Sequence, residues 1–342
     1  MAIDFMTADG VKSVRHWGYR LQGSGAGRKS HKLSIGELKL APHDLIVMDF
    51  SKDGSDAGAF TPDQIASLKS RKKANSVAVS YISIGEASDY RDHWQDDWTT
   101  YTDKDQRAAG EPTGQAPAWL GAWNENWPNS RKVRYWDKDW QAVIFNDART
   151  GWLDRIVAAG FDGAYLDIVD AYYHWGCEIA QSGDCREGDP KTEREAAARM
   201  IDFISALSRH ARETNPEFLV IPQNGAYIID ALEDEDHARR DAYLKSISAI
   251  ACEDLFFRGD GPENNPLKPD QEAIDVLIAT FSDSGTPVLS VDYLSEKKKV
   301  AEFYKVAVDN GFLPYAAPSR ELNVMGAPYM GPPYDGSAEA VA

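Results

Sequence analysis

The sequence predicts an α/β protein whose simplest architecture is a (β/α)8 TIM barrel. Three observations predict it. Short runs that are apolar on both faces recur along the 342 residues, as strands do when both faces of a parallel sheet are covered. Segments with 3.6-residue periodicity alternate with those runs. The length suits a barrel of roughly 250 residues plus functional loops. An open doubly wound sheet is the alternative, and it needs a glycine-rich phosphate turn after the first strand. Gly23-Ser24-Gly25-Ala26-Gly27-Arg28-Lys29-Ser30 stands there. Arg28 breaks the phosphate-loop spacing and no helix opens at it, so it reads as a mobile loop.

Taken in order, the apolar runs are 16–21, 44–50, 77–84, a weaker 133–136, 163–169, 218–222, 247–256 and 287–291. This order makes 163–169 the fifth strand and 247–256 the seventh. The helical segments are 61–73, 139–159, 191–214, 268–284 and 295–310. The first opens on Thr61-Pro62-Asp63, a cap followed by proline at the first helical position. The last closes on Asn310-Gly311. Residues 87–132 form a long insertion of the kind that carries function. Residues 1–323 are expected to form one domain, and 324–342 a Gly/Pro/Ala-rich extended tail.

Composition narrows the partners. The formal charge is −17, which repels nucleic acid and anionic lipid and suits a neutral or cationic ligand. The same charge also serves solubility. No run approaches the ~18 apolar residues of a membrane span. The expectation is a monomer with no nucleic-acid or membrane partner. Cys177 and Cys185 lie eight apart in one loop, where a bridge would imply an oxidising compartment. Cys252, in an apolar run, reads as a small core residue. The expected location is secreted or periplasmic, with a signal peptide that is not present in this chain.

Carboxylates recur at the ends of the predicted strands, where a barrel builds its active site. They are Asp49, Glu86, Asp167 with Asp170, Glu253 with Asp254, and Asp292. One or two such acids would be helix caps or ion pairs. Several at one mouth repel one another unless a cation binds there. Two facing carboxylates, one protonated and one ionised, can hydrolyse a glycosidic bond. Trp119, Trp123, Trp127, Tyr165, Tyr172, Tyr173 and Trp175 offer faces for sugar stacking, while Trp136 and Trp140 read as core. The seven histidines show no metal-ligand spacing, so no metal or other cofactor is expected. Arg320 can orient a carboxylate or a substrate oxygen, or simply make an ion pair at the rim. These residues leave open the choice between Asp167 and Asp170, and between Glu253 and Asp254.

Several stretches together resemble glycoside hydrolase family 114, the endo-α-1,4-polygalactosaminidase family. They are Tyr81-Ile82-Ser83-Ile84-Gly85-Glu86-Ala87 with Tyr90-Arg91, Trp119-Leu120-Gly121 with Asn126-Trp127-Pro128, and Val133-Arg134-Tyr135-Trp136. Further matches are 161–172, Gln223-Asn224-Gly225, Glu253-Asp254-Leu255-Phe256 and 314–320. The resemblance implies a (β/α)8 barrel, with an extra strand as an allowed variant. It implies Asp167 and Glu253 as the catalytic pair, and we read Asp167 as nucleophile or base and Glu253 as acid/base. Asp49, Glu86, Tyr90, Arg91, Tyr165, Asp170, Asn224, Asp292 and Arg320 are then expected to shape the pocket or bind sugar. The implied substrate is a polysaccharide, a cationic galactosamine-containing polymer that an acidic mouth would attract. A non-catalytic carbohydrate-binding barrel, or a hydrolase of another amino-sugar polymer, is the alternative.

Overall fold

The computed structural model describes residues 1–23, 32–71, 76–179, 185–233 and 235–332. Most of the Gly23–Ser30 loop lies outside them. Eight parallel strands follow one another in chain order: β1 (Trp17–Arg20), β2 (Leu45–Asp49), β3 (Val77–Ser83), β4 (Gly163–Asp167), β5 (Leu219–Pro222), β6 (Ile250–Glu253), β7 (Val288–Tyr293) and β8 (Leu313–Ala317). β1 to β5 form one continuous ladder and β6 to β8 a second. At the β5–β6 seam Gln223 bridges Ala251, and Ser248 N–H donates to Val220 O at 2.7 Å. At the β8–β1 seam the Trp17 indole donates to Leu313 O at 2.9 Å, and Leu21 N–H donates to Leu322 O at 2.9 Å.

Strand alternation builds two cores. Trp17, Tyr19, Leu45, Val47, Val77, Val79, Tyr165, Ile221, Ala251, Leu289, Val291, Leu313 and Tyr315, drawn from all eight strands, form one interior cluster. The intervening residues, such as Ile46, Met48, Ala78, Ile82, Leu166, Val220 and Cys252, pack with the helices in the outer cluster. Two apolar faces on every strand are the sequence signature of a covered barrel. An N-terminal antiparallel hairpin, Ile3–Thr7 with Gly10–Val14, places Ile3, Phe5 and Val14 in the interior cluster. The hairpin is tied to the barrel by Lys69, which pairs with Asp9 at 2.9 Å and Asp162 at 2.7 Å.

The strand count departs from the sequence reading in two places. Run 133–136 does not enter the barrel. Ser130–Val133 instead pairs antiparallel with Glu86–Ser88 and Leu120–Trp123 in a separate three-stranded sheet within the insertion. Leu313–Ala317, hidden by Pro314 and a small-residue run, is the eighth strand. The stretch bearing Asp167 is therefore the fourth strand and that bearing Glu253 the sixth.

Helix signals read well where a cap was present. Pro62–Lys69 carries a capping box between Thr61 and Gln64. Glu193–Thr214 starts on the Thr192 side chain and buries Ala197, Met200, Ile201, Ile204, Leu207 and Ala211 at helical spacing. Segment 139–159 is two helices, Lys138–Ile144 and Trp152–Ala158. The buried carboxylate of Asp154 breaks them apart by accepting from Asn146 N–H at 3.2 Å and Gly151 N–H at 3.0 Å. The tail does not start free: Met325 and Tyr329 pack on the outer core, the Tyr329 ring lying 4.6 Å from Tyr304.

Candidate active site

Inward parity selects the acids. Asp167 continues the inward series Gly163, Tyr165, and Glu253 continues Ala249, Ala251, so both carboxylates point into the mouth from the C-terminal ends of β4 and β6. Asp167 Oδ2 accepts the Tyr81 hydroxyl at 2.7 Å and Oδ1 accepts Ile168 N–H at 2.9 Å. Glu253 Oε2 accepts the Tyr293 hydroxyl at 2.5 Å and Oε1 accepts Asn224 Nδ2–H at 3.1 Å. Burial, then the charge of Glu253, pushes the Asp167 carboxyl up to about 7, against the lowering effect of the Tyr81 hydrogen bond. Asp170 lies accessible at the rim in a crowded, acidic concavity. Desolvation, then Glu253, raises it to about 6, with Glu86 adding to the effect and Lys132 opposing it.

The backbone bends sharply behind these groups. The residues that follow β4, lie just after β5 and follow β6 all have positive φ: Ile168 at 61°, Asn224 at 66° and Asp254 at 51°. A β-branched residue such as Ile168 pays on the order of 1–2 kcal/mol for that conformation. The turn is fixed because Ile168 N–H is bound to Asp167 and because its carbonyl fits against Gly85. A Cβ at Gly85 would stand 2.3 Å from Ile168 O. Gly85→Ala is therefore expected to cost about 1–3 kcal/mol and to lower turnover, measured by chemical denaturation and by initial rate.

The remaining candidates separate by partner. Asp49 is inward-facing but fully engaged. Arg91 holds it through two bonds, of 2.5 and 3.1 Å, donates to Gly54 O at 3.1 Å, and stacks 4.4 Å above the Trp152 ring. The pair braces the loops after β2 and β3. Tyr90, half exposed, lies over the same guanidinium at 5.0 Å. Glu86 is buried, accepts from Asn124 Nδ2 at 2.8 Å and lies 3.5 Å from Lys132 Nζ. Burial raises its carboxyl above the usual range, and Lys132 opposes that rise.

Arg320 donates to Asp254 at 2.8 Å and stacks 3.9 Å over the Tyr293 ring. Tyr165 is completely buried one layer below Asp167, 5.0 Å from Tyr19 and 6.3 Å from Trp17, and floors the site instead of meeting a sugar. Asp292 does not face the mouth. Its parity is opposite to that of Val291 and Tyr293, and Oδ2 accepts Phe256 N–H at 3.2 Å. Burial, then the charge of Asp254, pushes its carboxyl well above the usual range, and its bond to Phe256 N–H clasps the loop after β6.

Three acids at the mouth are thus paired, Asp49 with Arg91, Glu86 with Lys132 and Asp254 with Arg320. Asp167, Asp170 and Glu253 have no salt bridge among the described residues. Sequence reasoning missed Tyr81, Tyr293 and Lys132. Tyr81 and Tyr293 share the inward parity of Val79 and Val291, which is the signal that would have found them.

Of the aromatics proposed for sugar stacking, Trp123, Trp127 and Tyr173 are exposed, while Trp119, Tyr172 and Trp175 are core. Asn124 joins the hairpin that bears Trp123 and Trp127 to Glu86. Two cavities, of about 230 and 450 Å³, lie elsewhere. One is behind Arg91 between Phe50, His93 and Trp152, and the other is beside Leu38, His43 and Met325. Of the three acids, Asp170 is exposed and Asp167 and Glu253 are partly exposed. Cys185 is free, its thiol 3.5 Å from Ile179 O, so the expected Cys177–Cys185 bridge is not formed. The Cys177 side chain lies outside the described residues.

The model of glycoside-hydrolase family GH114 matches residues 16–328. An uncharacterised protein of Methanocaldococcus jannaschii is 35% identical over 316 residues, covering 90% of this chain and 77% of its own. One of Thermotoga maritima is 33% identical over 301 residues, covering 84% and 80%. Among solved structures, the glycoside hydrolase domain of PelA from Pseudomonas aeruginosa aligns with a TM-score of 0.56 at 17% identity, over 91% of this chain and 97% of that one, a likeness of fold. With a match spanning nearly all of the barrel, the chain belongs to glycoside-hydrolase family GH114.

Proposed function

We propose that this glycoside hydrolase is endo-acting and cleaves α-1,4 linkages in a galactosamine-containing polysaccharide, with Asp167 and Glu253 as its catalytic pair. The observation that carries the reading is the set of three acids at the mouth, Asp167, Asp170 and Glu253, that make no salt bridge among the described residues. Two of them face inward from strands that flank β5. The third sits at the rim, where an ammonium group would relieve its crowding. The substrate class rests on the resemblance to the polygalactosaminidase family together with this acidity.

Asp167 acts as nucleophile or base. Its short side chain is pinned through both oxygens, which suits a group that must hold an attack geometry. Glu253, on a longer arm, acts as acid/base towards the leaving oxygen. Glu86 and Asn224 hold the walls of the site, and Trp123, Trp127 and Tyr173 offer stacking faces for further sugar units. The protein works as a monomer and without a cofactor in this reading. No helix among the described residues is long and apolar enough to cross a membrane. A polymeric substrate places the reaction outside the cell or in the periplasm. That location rests on the substrate alone, because Cys185 is free.

Two coupled carboxylates are competent while they share one proton. The pair releases that proton at about 7, and Asp167 acts as nucleophile or base in the microstate in which the proton has moved off it. kcat/KM on partly de-N-acetylated α-1,4-galactosaminan is therefore expected to fall as pH rises through about 7. Measured rates that hold flat from pH 6 to 9 would contradict the shared-proton reading.

A further inference from the structure

We propose that Tyr81 and Tyr293 are positioning residues of the reaction, each hydroxyl fixing the orientation of the acid on the neighbouring strand, with Arg320 acting on Glu253 through the Tyr293 ring. The inference rests on reading Asp167 and Glu253 as the catalytic pair. Terminal carboxylate torsions are broad and nearly two-fold, so an acid at an open mouth does not hold one orientation by itself. Here the two acids are braced in mirror fashion. Asp167 on β4 pairs in register with Ser83, and Tyr81 reaches it from two residues lower on β3. Glu253 on β6 pairs in register with Val291, and Tyr293 reaches it from two residues higher on β7. Five consecutive strands thereby contribute one arc: Tyr81, Asp167, Asn224, Glu253 and Tyr293.

The second layer differs on the two sides. Tyr293 is buried beneath the Arg320 guanidinium, which lies 3.9 Å from its ring and is itself held by Asp254 at 2.8 Å and Pro262 O at 3.0 Å. Among the described residues, no cation stacks on Tyr81. The groups acting on Asp167 are Glu253, Asp170, Tyr81, Tyr19 and Tyr165. Those acting on Glu253 are Asp167, Asp170, Tyr165, Tyr293, Cys252 and Arg320. In each set a tyrosine hydroxyl is a direct hydrogen-bond donor to the acid. The Tyr81 hydroxyl donates to the ionised form of Asp167 and so lowers its proton affinity.

The test is carbon-13 NMR titration of the full-length protein labelled at Asp and Glu side-chain carboxyls, with Asp167→Asn and Glu253→Gln identifying the two resonances. Tyr81→Phe is expected to move the Asp167 titration up by about half a pH unit or more, and Tyr293→Phe to do the same for Glu253. Site-specific 3,5-difluorotyrosine at 81, a stronger donor of the same shape, is expected to move Asp167 the opposite way. On galactosaminan each Phe variant should lose kcat on the order of 10- to 100-fold with KM little changed. Wild-type titrations in both Phe variants would overturn the proposal, as would a difluorotyrosine protein that titrates like the Phe variant. Shifted titrations in a protein that cleaves no galactosaminan would leave the positioning role standing and remove the substrate assignment.

Discussion

Asp167→Asn is expected to reduce polymer cleavage by roughly a thousandfold or more while making the folded protein more stable at pH 8. The loss of activity follows from removing the group that attacks or activates water. The gain in stability follows from linkage. Burial and the neighbouring Glu253 raise the folded-state value of Asp167 from 3.8 to about 7. Between those values the unfolded chain releases the proton and the folded chain keeps it, so stability falls as pH rises from about 4 to about 7. Above 7 the whole penalty is present. Asparagine removes it and still satisfies both neighbours: its carbonyl accepts from Ile168 N–H and its amide donates to the Tyr81 oxygen. After solvent screening a gain of about 1–2 kcal/mol at pH 8 is expected, shrinking towards zero at pH 4. Urea denaturation of both proteins at the two pH values measures it. A variant less stable than wild type at pH 8 would show that Asp167 is a structural ion in place of a strained functional one.

The largest loss of stability is expected at Asp49→Ala. Asp49 and Arg91 are 6% and 5% exposed, and the pair is bidentate. Removing the carboxylate leaves a buried guanidinium uncompensated and Ser51 N–H without its acceptor, which is worth about 3–5 kcal/mol. Replacing both partners by apolar residues, as in Asp49→Leu with Arg91→Met, should recover much of that loss, because desolvation of the ions disappears with them. A sugar-binding role would give the reverse pattern, with Asp49→Ala folding normally and KM alone rising. Denaturation midpoints of the single and double variants separate the two.

The fold was legible wherever a local rule was strong. The cap at Thr61 and the stop at Gly311 sit where the helices begin and end. The doubly apolar strands identified the covered barrel. Run 133–136 misled because an apolar four-residue stretch reads alike in a barrel strand and in an antiparallel excursion. Only pairing with Glu86–Ser88 distinguishes them. Leu313–Ala317 was missed because Pro314 weakens a strand reading, although its edge-of-ladder position tolerates it. The acids were legible as a set but not by role. Parity within a strand would have turned Asp292 away from the mouth, since Val291 and Tyr293 alternate with it. The engagement of Asp49 by Arg91, 42 residues on, is a tertiary fact that no spacing rule reaches. The tyrosine donors were hidden for a related reason, since a phenol in a strand reads as core until its hydroxyl is placed.

The most direct test is product analysis of the wild-type protein and Glu253→Gln on partly de-N-acetylated α-1,4-galactosaminan, beside a glucosamine polymer. Wild type is expected to release new reducing ends as a ladder of oligosaccharides from the galactosamine polymer, and Glu253→Gln to release none while still binding it. Binding by wild type with no new reducing ends over long incubation, or near-full cleavage by Glu253→Gln, would contradict the assignment.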